Sequence, residues 1–148
     1  IHNPAHFFSE ASRCLGDEGV ICLVEPWNTP WSKFIYTNFH FEVFDPSSRD
    51  WEMEKGGPLS KSNQAIPWII LSRDFDKFLS NYPEFSIEVF QKLMPLAYIL
   101  SGGYSYRCLI PVFTYGFWRK LERLFESQQG MFAFIVIRKR SISNTDTQ

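Results

Sequence analysis

Residues 7–27, FFSEASRCLGDEGVICLVEPW, hold the three signals that decide the fold: a helical period, a turn and an unbroken apolar run. Phe7, Phe8, Ala11, Cys14 and Leu15 fall on one face of an α-helix, Ser9, Glu10, Ser12 and Arg13 on the other, and Pro4 suits its first turn. Gly16-Asp17-Glu18-Gly19 supplies turn chemistry, and Val20 to Val24 shows no polar alternation, the pattern of a strand covered on both faces. Such a strand needs neighbours on both sides. The unit belongs in the middle of an α/β domain.

Composition and charge narrow the function classes. The chain has 148 residues, 45% of them hydrophobic and 18% aromatic, enough for one domain core, and only the polar tail 141–148 falls outside it. A formal net charge of -1, with Lys and Arg scattered except for Arg138-Lys139-Arg140, gives no electrostatic basis for nucleic-acid binding. No apolar run reaches the roughly 18 residues of a membrane span, and no basic start leads into a hydrophobic segment, so a cytoplasmic protein is expected. Cys14, Cys22 and Cys108 are odd in number and unclustered, which predicts buried free thiols in a reducing compartment. His2 and His6 are four apart, but Pro4 separates them and no metalloprotease carboxylate accompanies them, so no metal site is predicted.

Along the chain, regular elements alternate with two long intervening segments. Residues 26–71 are too long for an ordinary connection and read as a cap: Thr29-Pro30 opens a short helix with Trp31, Phe34, Ile35 and Phe39, before loop signals at Asp45-Pro46 and Gly56-Gly57-Pro58. Ser72 to Asn81 reads as a helix with Phe75, Phe78 and Leu79 inward. Phe85, Ile87 and Val89 alternate with polar neighbours, which predicts an edge strand. A second insertion, 95–130, holds the Gly102-Gly103 turn and a helix from about Thr114 to Ser127, with Phe117, Leu121, Leu124 and Phe125 inward and Arg119, Glu122, Arg123 and Glu126 outward. Met131 to Ile137 is continuously apolar and therefore central.

The string E-x-x-R-x-L-x-x-x-G followed by an apolar strand ending in an acid, here Glu10, Arg13, Leu15, Gly19 and Glu25, resembles the fourth helix and fifth strand of class I S-adenosylmethionine-dependent methyltransferases of the type 11 kind. Ile1-His2-Asn3-Pro4 resembles the tail of their fourth strand. The resemblance implies the C-terminal part of a Rossmann-like sheet, its last three strands, with the final strand antiparallel and inserted between the other two. It implies a partial methyltransferase domain over 1–140, with the first four strands left out by truncation or gene fragmentation. It also implies S-adenosylmethionine as cofactor, although the acidic G-x-G-x-G loop and the ribose-holding acid of the family are not in this sequence. The turn departs from the family's Lys-Pro-Gly-Gly, so Glu18 is expected to take a left-handed conformation or the turn to be rebuilt.

What such a chain carries is the substrate side, for a small and partly apolar methyl acceptor. Ligands of open α/β sheets bind beyond the carboxyl ends of the parallel strands, where Glu25 sits, with Trp27, Trp31 and His40 downstream. Glu25 and His40 are the candidate bases, and Trp27, Trp31, Tyr104 and Tyr106 the candidate substrate contacts. Packing of the cap is an equally open role for the aromatics, and a structural hydrogen bond for Glu25. Two other classes stay open: a non-catalytic methyltransferase-like partner subunit, and a lipid-facing module built on the aromatic helix near Trp31 to Phe41, where Lys33 is the only cation. Partners expected are the missing N-terminal half or a second copy on an exposed strand edge.

Overall fold

A computed structural model describes residues 3–40, 42–51, 63–103 and 107–141. Helix α1 (Pro4–Cys14) begins where the sequence predicts: the Asn3 side chain accepts the His6 N–H at 2.8 Å and Pro4 occupies the first turn. Its Phe8 is buried edge-on to Phe78 at 5.0 Å, within a cluster that also contains Tyr82 and Phe85. The Glu10 and Arg13 of the resemblance form a surface ion pair at 2.8 Å. In the turn, Glu18 takes the left-handed conformation at φ 63°, which costs a non-glycine residue about 1 kcal/mol. Its N–H donates to the Lys139 carbonyl at 3.0 Å, and the Arg138 guanidinium donates to its carbonyl at 3.1 Å. The far end of the chain therefore pins this turn.

Strands β1 (Val20–Pro26), β2 (Phe85–Leu93) and β3 (Phe132–Lys139) form one sheet in the order β1-β3-β2. The central β3 is antiparallel to both neighbours, so β1 and β2 run parallel to each other, as the resemblance implies. Leu23 pairs with Ile135, and Ile21 and Ile87 both pair with Ile137. Ala133, Ile135 and Ile137 are fully buried on one sheet face, beneath the core built with Phe8, Phe78 and Ile66 to Leu71. Burying this face is the main driving force for the fold.

Four expectations are corrected. First, β1 is not covered on both faces: Val20, Cys22 and Val24 are exposed, Val24 to 59%, because among the described residues no element packs over them. Second, all three cysteines are exposed: Cys22 lies on that open face, and Cys14 and Cys108 lie at the surface. Third, β2 continues to Leu93, and a bulge between Ile87 and Val89 breaks the alternation, leaving Val89 and Phe90 both exposed.

The fourth correction concerns the second insertion, which contains α5 (Ala97–Leu100), a 3-10 turn (Val112–Thr114), α6 (Tyr115–Glu122) and α7 (Glu126–Gln129). The predicted single helix is broken after Glu122; Leu121 stays half-buried and Arg123 exposed, as predicted, but Glu122 changes places with the aromatic and leucine side chains. Glu122 is completely buried, whereas Phe117 is 64% and Leu124 72% exposed, with Phe125 also outside. The cause is polar. The Glu122 carboxylate accepts the N–H groups of Leu96 and Ala97 at 3.2 and 3.0 Å, where α5 begins, and the Arg119 guanidinium at 2.8 Å.

The cap starts with α2 (Pro30–Phe39), where Thr29 and Ser32 form a reciprocal capping box. Tyr36 anchors it, donating its hydroxyl to the Met131 carbonyl at 2.8 Å. At the end of the cap, α3 (Ile66–Trp68) runs through a π-helical turn (Ile69–Arg73) into α4 (Phe75–Asn81), so the helix predicted over Ser72 to Asn81 is the last part of a longer, interrupted one. Arg73 ties this helix to the loop at 46–48, donating to the carbonyls of Pro46 and Ser48 at 2.9 and 2.7 Å and pairing with Asp74. Hydrogen bonding from Arg73, with the Trp51 indole, holds the Asp74 carboxyl down at about 2.

Candidate functional site

A cavity of about 280 Å³ opens at the carboxyl end of β1. The first turns of α1 give it Pro4, Phe7 and Phe8, β1 gives Leu23, Glu25 and Pro26, and the α3 region gives Ile66, Pro67, Ile70 and Leu71. Polar groups enter from Glu25, Glu42, Asn63 and Gln64. The wall is thus mostly apolar with a few convergent polar groups, the usual composition of a small-molecule site.

The polar side is built by two segments folded against each other. Asn63 accepts the Asp45 and Ala65 N–H groups at 2.9 and 3.0 Å and donates to the Asp45 carbonyl at 2.7 Å, while the Gln64 N–H donates to the Val43 carbonyl at 2.9 Å. These bonds fix Glu42 beside Gln64, whose amide nitrogen donates to the Glu42 carboxylate. The other end of that amide, Gln64 Oε1, is buried and has no hydrogen-bond partner among the described residues. Burial pushes the Glu25 carboxyl above the usual carboxylate range. A carboxylate so placed can take a proton from a hydroxyl or amine held in the cavity.

The predicted site residues divide. Glu25 lines the cavity. His40 caps the end of α2 and lies outside the cavity wall, although it is joined to it through Glu42, whose N–H donates to His40 Nδ1 at 3.3 Å. Its ring stands edge-on to Tyr36 at 5.5 Å, and burial lowers its pKa, which keeps the imidazole neutral near pH 7. Trp27 is buried and packs on Phe90 at 4.9 Å. Trp31 donates its indole N–H to the Pro95 carbonyl at 2.6 Å and lines a separate apolar groove with Phe34, Leu96 and Phe125. Tyr104 and Tyr106 lie outside the described residues. Sequence reasoning missed Glu42, Asn63 and Gln64; the one available signal was the polar Asn63-Gln64 pair abutting the apolar run from Ala65.

No protein-family model, curated protein or solved structure matches this chain. Among the described residues no helix is long and apolar enough to cross a membrane.

Proposed function

We propose that this chain is the substrate-side part of a class I S-adenosylmethionine-dependent methyltransferase acting on a small, partly apolar acceptor. The observation that carries the reading is the sheet: two parallel strands with an antiparallel strand between them, in the order that the resemblance implies for the family's last three strands. The position of the cavity, beyond the carboxyl end of β1, agrees with it.

The residues of the cavity do not fit the cofactor by themselves. Among the described residues no glycine-rich turn lines it, and about 280 Å³ suits a small acceptor rather than a nucleoside sulfonium with its acceptor. The cofactor loops belong, on this reading, to strands that this sequence does not contain. The work left to this chain is to hold the acceptor and remove its proton. Glu25 is the proposed base, and the apolar wall excludes water around it. His40 supports Glu42 rather than meeting the substrate.

The test is ultraviolet cross-linking of tritiated S-adenosylmethionine to a polypeptide carrying this sequence behind four upstream strands of the family's kind. Labelling that S-adenosylhomocysteine competes away is expected. A polypeptide that folds but takes no label contradicts the reading.

A further inference from the structure

We propose that residues 107–125 form a docking surface for an anionic lipid bilayer, an inference independent of the methyltransferase reading. Val112 and Phe113 are 89% and 88% exposed, Leu124 is 72% and Leu109 and Phe117 are each 64% exposed, a density of bare apolar side chains found nowhere else among the described residues. Phe117 and Lys120, three apart, share one side of α6, with Phe113 in the 3-10 turn before it and Leu124 in the turn after it. The opposite side of α6 holds the buried Glu122 with Arg119, which fixes the first side outward.

Charge selects the partner. The segment contains four cations and one carboxylate, in a chain whose formal net charge is -1. Glu122, the carboxylate, is buried and paired with Arg119, which also pairs with Glu126 just past the segment, so the charges the segment leaves at the surface are those of Arg107, Lys120 and Arg123, all positive and in no ion pair among the described residues. Bare aromatics beside unpaired cations suit the interface of an anionic membrane, where the rings enter the headgroup region and the cations meet phosphate. A protein partner's apolar patch would leave these cations without counter-charges.

Two further features agree. The segment leads into α7, which packs on β2 at the sheet edge opposite β1, so a strand added beside β1 leaves it open. Phe125 also borders the apolar groove of about 490 Å³ that Trp31, Phe34, Pro95 and Leu96 line, which can receive part of an acyl chain from a bilayer docked on α6.

The test is flotation of the chain with phosphatidylcholine vesicles and with vesicles containing about one-third phosphatidylglycerol. At low salt, binding to the anionic vesicles is expected to be at least tenfold stronger. The double variant Phe113→Ser/Phe117→Ser changes only exposed side chains, so it should keep its far-ultraviolet circular dichroism and lose binding to both vesicles by about tenfold or more. Lys120→Glu/Arg123→Glu should lose at least fivefold per charge on anionic vesicles alone. Absence of binding to anionic vesicles overturns the proposal, as does binding that the Phe double variant leaves unchanged. A dimer that the Phe variant dissociates, without vesicle binding, also overturns it and assigns the surface to a second copy.

Discussion

Glu25 concentrates the claim at the scale of single residues. Its carboxyl is pushed up by burial, so the folded chain holds that proton more tightly than the unfolded one does. Stability conferred by the proton is therefore lost as pH rises from the ordinary carboxylate range through the raised value. Glu25→Gln, which never ionises, should melt above the parent at pH 7 and level with it near about pH 3, as thermal unfolding at both pH values would show. A variant that melts lower at pH 7 would mean that the ionised carboxylate is held by a favourable partner. In a polypeptide containing the upstream strands, the same substitution should abolish methyl transfer, so the residue would cost stability and serve activity. Glu25 was legible because an acid closing an apolar strand stands out locally. Glu42 and Gln64 were not, because their meeting depends on the chain folding back across an intervening loop, which no periodicity records. Glu18 was legible only through the resemblance, whose turn has glycine at that place; of the two outcomes left open, a left-handed Glu18 or a rebuilt turn, the first is found.

Among the elements, α6 shows how one polar group overrides a hydrophobic pattern. The helical period predicts Phe117, Leu124 and Phe125 inside, yet the Glu122 carboxylate is inside because two N–H groups at the start of α5 and the Arg119 guanidinium converge on it. Tertiary hydrogen bonds of this kind leave no trace in spacing. Glu122→Ala should strip all three donors of their acceptor and cost about 2–4 kcal/mol, read as a lower urea midpoint with unchanged slope. A loss below about 0.5 kcal/mol would show that water or another carboxylate takes its place. The capping of α1 and α2 was legible, since Asn3-Pro4 and Thr29-Pro30 carry their signals locally. The strands were legible in order and direction but not in cover. An unbroken apolar run in β1 predicts two buried faces, and the second has nothing packed on it among the described residues.

For the whole molecule, that uncovered face and the edge of β1 that no described residue pairs are what the proposed reading assigns to an upstream half. The chain alone should therefore self-associate through β1 in light scattering. Val24→Lys, which puts a charge on the open face, should reduce the association, whereas Phe113→Ser/Phe117→Ser should not. A monodisperse parent at high concentration would contradict this. The central claim, that this is the substrate-side part of a methyltransferase, meets its most direct test in calorimetric titration with S-adenosylmethionine. The chain alone keeps one wall of the site while the cost of immobilising the ligand stays the same, so no heat of binding is expected in the micromolar range. The same residues behind four upstream strands of the family's kind should bind in that range. Micromolar binding by the chain alone, or none by the folded longer polypeptide, would contradict the account.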